Sequence, residues 1–179
     1  MKTINQLRKR KGVSPVIATV ILVAVTITVA VAVAYWMSGI AGQYTSFEKV
    51  EMPAHYSLWT NDVNRDASAV DGWNQYIELK NSGSKAASIT NIFLNNIPLK
   101  DYTTIPLLLF YNDGSGEQSV TLTSIAIPLG NGEEVQLIIC IPIGVTGCTS
   151  GTTIDLKSTT AAGNSYPILE VLDTSYLRR

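Results

Sequence analysis

Hydrophobic and polar positions divide this chain into two unlike stretches. From Val13 the residues are mostly valine, isoleucine and alanine, and no charge appears until Glu48. From about Glu51 short runs of alternating polar and apolar residues take over, separated by turn signals at Asn81-Ser82-Gly83, Asn95-Asn96, Asn112-Asp113-Gly114, Asn131-Gly132 and Ala162-Gly163-Asn164. The first pattern predicts one long helix and the second a set of strands.

Val13 to Ile40 would extend to roughly 42 Å as a helix, beyond the ~30 Å hydrocarbon core of a bilayer. Valine and isoleucine form helices only moderately well in water. In lipid every backbone group must bond within the segment, which selects helix for a single span. The run Val29-Ala30-Val31-Ala32-Val33-Ala34 also reads locally as a strand, but the length of the segment and its lack of turns favour helix. Pro15 falls in the first turn, where a missing N–H costs little, and Ser14 before it is a candidate N-cap. Thr19 and Thr26 share a face, and Ala18, Ala30 and Ala34 offer small surfaces for close helix approach. Tyr35 and Trp36 mark the far end as an aromatic belt would, and Gly39 and Gly42 are expected to give flexible points between helix and head.

The strand-like runs are Gln75–Lys80, Ser88–Leu94, Pro106–Tyr111, Ser119–Ile127, Glu134–Ile141, Thr152–Lys157 and Tyr166–Leu172. Their spacing, without helical periodicity, predicts an antiparallel β-sandwich. The fold class expected is therefore α+β: a long N-terminal hydrophobic helix followed by a β-sandwich head.

Charge sharpens this picture. The chain of 179 residues carries a formal net charge of −1, but Lys2, Arg8, Lys9, Arg10 and Lys11 crowd the first twelve residues without an acid. Without them eight basic side chains face 14 acidic ones. An acidic remainder excludes nucleic acid as the main partner, because phosphate binding wants a basic face. The basic leader reads as a positive-inside signal that holds the N-terminus in the cytoplasm. It is not a secretory signal of the usual kind, whose cleavage site follows the apolar core. Lys11-Gly12 precedes the core, so a cut there leaves the apolar helix on the mature chain.

Arg10-Lys11-Gly12 followed by Val13-Ser14-Pro15-Val16-Ile17-Ala18-Thr19-Val20-Ile21-Leu22 resembles the N-terminus of archaeal type IV pilins. The resemblance covers about residues 8–42 and implies a class III (prepilin-type) leader, residues 1–12, removed between Gly12 and Val13. Residues 13–48 would then be the assembly and membrane helix, with Ser14, Pro15, Val16, Ile17, Ala18, Val25 and Trp36 among its packing positions. Residues 49–179 would be an extracellular, immunoglobulin-like head. The Ile77–Ile92 stretch is similar to the strand–turn–strand of such heads. The implied partners are a prepilin-type peptidase, an ATP-driven assembly platform, the membrane before assembly, and identical subunits in a homopolymer. Archaellins share this design, but the Ser-Pro-Val-Ile-Ala run fits pilins better. Bacterial type IV pilins carry a glutamate at the fifth mature position, where this chain has Ile17, so helix packing must guide assembly without that charge.

Other chemistry is sparse. Cys140 and Cys148 flank residues 141–147, and outside the cell a disulfide between them is the expectation, with two small buried thiols as the other reading. The lone histidine, His55, next to Tyr56, reads as structural or surface. No nucleophile elbow, Walker loop or His-Glu-x-x-His occurs, so no enzymatic activity and no cofactor are expected. Asp62, Asp66 and Asp71 with Asn61 and Asn64 could offer oxygens to calcium, but a polar loop is the preferred reading. No asparagine lies in an Asn-x-Ser/Thr acceptor site, and threonine-rich runs such as Thr149–Thr153 suit the solvated face of a strand. The sequence thus points to a structural subunit of an archaeal adhesive pilus, a membrane precursor that becomes a cell-surface filament. The alternatives are a minor pilin or archaellin-like subunit, and a membrane-tethered β-sandwich binding module.

Overall fold

The computed structural model describes residues 14–65 and 70–174 in two compact units, residues 1–45 and 46–179. The first is helix α1, Pro15–Tyr44. Pro15 opens it, and Ser14 holds the N-cap position without a side-chain cap bond; its carbonyl accepts the Ala18 N–H at 3.1 Å. The helix closes at Thr45, whose N–H and Oγ1–H both donate to the Ala41 carbonyl, at 3.1 and 3.0 Å. Gly39 and Gly42, expected as flexible points beyond the helix, lie inside its last turns. The backbone bonds available in a continuous helix outweigh the modest cost of two glycines.

The second unit, the head, runs β1 (Val50–Glu51), β2 (His55–Thr60), β3 (Gly72–Asn81), β4 (Ala87–Leu94), β5 (Ile97–Pro98), a 3-10 turn (Leu99–Asp101), β6 (Leu108–Asn112), β7 (Glu117–Val120), β8 (Ile127–Leu129), β9 (Glu134–Pro142), β10 (Thr153–Thr160) and β11 (Ser165–Val171). These form two antiparallel sheets. One has six strands in the order β1-β3-β9-β6-β7, with β2 also paired to β3. The other has five, β11-β10-β4-β5, with β8 also paired to β4.

Strand period explains the core between them. Odd-numbered residues of β3, β6 and β9, among them Trp73, Ile77, Leu79, Leu109, Leu137 and Ile139, face Ile89, Ile92, Leu94, Ile154 and Leu156 of the opposing sheet. Ile89 and Ile92 differ in parity, yet both are buried. A β-bulge reconciles them: Thr159 pairs with Asn91 while Thr160 pairs with Ile89, so Thr90 is the extra residue. A second, smaller cluster (Val63, Ile138 and Cys140) lies on the outer face of the six-stranded sheet.

Two further expectations are corrected. The Ser119–Ile127 run is not one strand: it holds the end of β7, a turn in which the Ser124 N–H donates to the Thr121 carbonyl at 3.0 Å, and the start of β8, which belongs to the other sheet. The Thr-Leu-Thr-Ser stretch has high strand propensity, but crossing between sheets requires a break. Cys140 and Cys148 are free thiols, not a disulfide. Cys140 points to the outer cluster and Cys148 into the core between the sheets, so a layer of backbone separates them. A disulfide needs its two Cβ atoms ~3.5–4.5 Å apart and facing each other.

Candidate functional site

The helix is the largest exposed apolar feature of the molecule. None of its residues is buried, and Val16, Ile17, Val25 and Trp36 are each more than half exposed. An amphipathic helix would show a polar stripe. Here Thr19, Thr26 and Thr28 are the polar positions of the middle turns, and each hydroxyl donates back to its own helix: Thr19 Oγ1 to Val16 O (2.9 Å), Thr26 Oγ1 to Val23 O (2.9 Å), Thr28 Oγ1 to Ala24 O (2.8 Å). Through these turns the surface therefore presents hydrocarbon all round, with its polar groups already satisfied, and Tyr35, Trp36, Ser38 and Gln43 follow only toward the C-terminal end. A helix apolar on every side needs lipid or other helices on every side. At 30 residues it extends to about 45 Å and is long and apolar enough to cross a membrane. Lys11, Gly12 and Val13, the expected peptidase junction, lie outside the described residues.

Several of the head's titratable groups are engaged structurally. His55 Nδ1–H donates to Glu170 Oε2 at 2.5 Å, which joins β2 of one sheet to β11 of the other. Glu133 Oε2 accepts the Gly130 N–H, and Glu134 pairs with Lys80 at 2.6 Å, which raises the Lys80 ammonium above its ordinary value. Hydrogen bonds from the Ser115 hydroxyl and N–H hold the Asp113 carboxyl below its ordinary value. Burial pushes both thiols up to about 11, so neither is a ready nucleophile or ligand. Of the candidate calcium loop, Asp66 lies outside the described residues. Among the described residues no three of His, Cys, Asp or Glu gather as a metal site.

Sequence reasoning passed over three positions. Asn81, which opens a turn signal in the sequence, is fully buried; its Nδ2 donates to Lys85 O (2.8 Å) and Leu129 O (3.1 Å), and its Oδ1 accepts the Gly83 N–H (3.0 Å). Arg65 sits in left-handed backbone (φ 60°), where it stands over the Phe110 ring, hydrogen-bonds Tyr76 Oη at 3.1 Å and pairs with Glu117. Tyr56 stacks on Tyr76 across β2 and β3, with centroids 4.9 Å apart. The Tyr56-Ser57-Leu58-Trp59-Thr60 run, rich in strand formers, was the available signal for β2.

No family model matches the chain, and no curated protein is significantly similar to it. Among solved structures it is similar to the archaeal flagellum of Methanospirillum hungatei strain JF1, at 16% identity and a TM-score of 0.40, over 88% of this chain and 89% of that one. It is also similar to the archaellum periplasmic stator protein FlaG from Sulfolobus acidocaldarius, at 15% identity and a TM-score of 0.33, over 69% of this chain and 99% of that one. A third is the Iho670 flagellar-like filament, at 11% identity and a TM-score of 0.38, over 90% of this chain and 99% of that one.

Proposed function

We propose that this chain is a filament-forming subunit of the archaeal pilin kind, stored in the membrane through α1 and polymerised through the same helix. The observation that carries the reading is the helix surface: apolar on all sides through its middle turns, nowhere buried, with the hydroxyls of Thr19, Thr26 and Thr28 bonded inward. A plain anchor needs such a helix, but it does not need the order basic leader, Gly12, Val13-Ser14-Pro15 that precedes it. That order fits removal of the leader after Gly12 by a prepilin-type peptidase, with the charge-free helix retained.

In the bilayer the helix is surrounded by acyl chains, and in a filament by copies of itself. Both surroundings are apolar, so the transfer gains little from the hydrophobic effect and depends on close side-chain packing. An ATP-driven platform would supply the directionality. The head would then face the exterior, with no catalytic role and no cofactor. Within this class we assign the chain to an adhesive type IV pilus on the Ser14-Pro15-Val16-Ile17-Ala18 run; an archaellum filament subunit remains the rival from the same machinery.

Sheared surface filaments, purified and analysed by intact-mass and N-terminal sequencing, test the assembly reading. Val13 as first residue of an abundant filament protein is the expected result. Recovery only from membranes with Met1 or Lys2 retained would replace it with a tethered binding module. Cells lacking the chain should lose surface attachment and keep swimming; the reverse would make it an archaellin.

A further inference from the structure

The outer face of the six-stranded sheet carries two adjacent rows of side chains set by register. In one row Glu78 on β3 stands opposite Gln136 on β9, which also stands opposite Asn112 on β6. In the next row Tyr56, Tyr76, Ile138 and Phe110 follow one another across β2, β3, β9 and β6. The polar row lines an open trough of about 250 Å³, walled by Pro53 and by Gly114 in the β6–β7 turn. Tyr56, in the adjoining row and close enough to Glu78 to feel its charge, is 41% exposed and stacks at 12° on Tyr76. Burial, with Tyr76 and Glu78 beside it, raises the Tyr56 phenol above its ordinary value.

Most of the hydrogen-bonding capacity of the polar row is unspent among the described residues. Asn112 Oδ1 accepts the Gly114 N–H at 2.8 Å, leaving its amide N–H groups to donate. The Gln136 amide and the Glu78 carboxylate have no hydrogen-bond partner among the described residues. The neighbouring Glu134 is already neutralised by Lys80. The trough thus offers an acceptor, a donor and a group that does both, next to a rigid aromatic face.

We propose that this trough binds a neutral sugar chain. A metal ion lacks a set of three ligands there. A peptide adding as a strand needs a free sheet edge, whereas β3 and β9 are paired on both sides. A purely apolar ligand would strip water from Glu78 and Gln136 without replacing it. A sugar ring has vicinal hydroxyls for the carboxylate and amides and a C–H face for Tyr56. The trough falls below the roughly 300–1,000 Å³ of cavities that enclose drug-sized ligands, and suits one ring of a longer chain.

This deepens the reading of the head as the attaching part of a surface filament. Its test is independent of polymerisation, because it uses the full chain solubilised in detergent. Hexaoses of glucose, mannose and N-acetylglucosamine are the probes, read by saturation-transfer NMR and by titration. At least one should bind. Tyr56→Ala should weaken it about tenfold with a lowered melting temperature from the lost stack on Tyr76, and Gln136→Ala about fivefold at unchanged melting temperature. Leu169→Ala, on the other sheet, should leave it unchanged. Should Tyr56→Ala fail to fold, Gln136→Ala, whose side chain has no hydrogen-bond partner among the described residues, carries the test. Binding of none of the three hexaoses, equal binding by wild type and Gln136→Ala, or preference for an acidic hexamer such as oligoalginate would overturn the proposal.

Discussion

His55 and Glu170 tie one sheet of the head to the other: the imidazole Nδ1–H meets the carboxylate Oε2 at 2.5 Å, between the edge strands β2 and β11. Glu170 faces inward at the end of a strand whose Leu169 and Val171 face out, so it belongs to the sandwich edge rather than to the solvated face. Removing either partner should loosen that edge. Glu170→Ala and His55→Ala should each lower stability by about 1 kcal/mol, and the double variant by less than the sum of the two. Chemical denaturation of the full chain in detergent measures the cycle; strictly additive losses would mean that the pair contributes nothing jointly.

Asn81 should matter far more. Its amide closes the β3–β4 turn and also reaches the Leu129 carbonyl on β8, all in a fully buried position. Asn81→Ala leaves several buried backbone groups unpaired and should cost about 2–4 kcal/mol. Gly83 in the same turn has no room for a side chain, since an added Cβ would stand 2.6 Å from both Lys49 N and Phe47 O. Gly83→Ala should therefore destabilise by about 1–3 kcal/mol, because backbone atoms cannot move aside cheaply. A melting temperature within a degree of wild type for either variant would contradict this account.

The two thiols predict an alkaline loss of stability. Both are buried and pushed up to about 11, from an ordinary value of 9.0. Between those values the unfolded chain loses the protons while the folded chain keeps them, so unfolding gains and stability falls as pH rises. The contribution is intact below about pH 9 and declines by on the order of 2 kcal/mol per thiol by pH 11. Against a Cys140→Ala, Cys148→Ala double variant, wild type should show the steeper decline over that window. A reductant should leave the melting temperature unchanged at neutral pH; a drop would revive the disulfide.

For assembly, Val25→Asp places an unpaired carboxylate about a third of the way along α1, at a position 54% exposed in the isolated chain and enclosed in a helix bundle. Filaments should vanish from sheared fractions while the head's stability is unchanged. Intact filaments from this variant would remove α1 as the assembly surface. Gly12→Val should block processing, and a mature N-terminus at Val13 in that variant would refute the cleavage site.

Much of the fold could be read from residue order. The helix announced itself through the absence of charge between Lys11 and Glu48, and β3, β4 and β9 through alternation bounded by Asn-Gly and Asn-Ser-Gly turns. What stayed hidden depends on pairing. The Thr90 bulge exists only because β10 lies beside β4. The break at Thr121–Ser124 exists because β7 and β8 belong to different sheets. Local propensity carries neither fact. The sugar trough was hidden for the same reason, since Glu78, Gln136 and Asn112 are far apart in sequence and meet only through register.

The inward-bonded threonines of α1 have a geometric consequence. Over residues 15–34 the rod has no free polar group to act as a landmark and can turn about its axis, or slip along a neighbour, without breaking a hydrogen bond; Tyr35, Trp36, Ser38 and Gln43 are confined to its last turns. Such a stretch supplies cohesion through side-chain shape but no hydrogen-bonded register. The angle and step between successive subunits then draw on contacts between heads as well as on helix packing, so substitutions on head surfaces should also change the pitch of the filament.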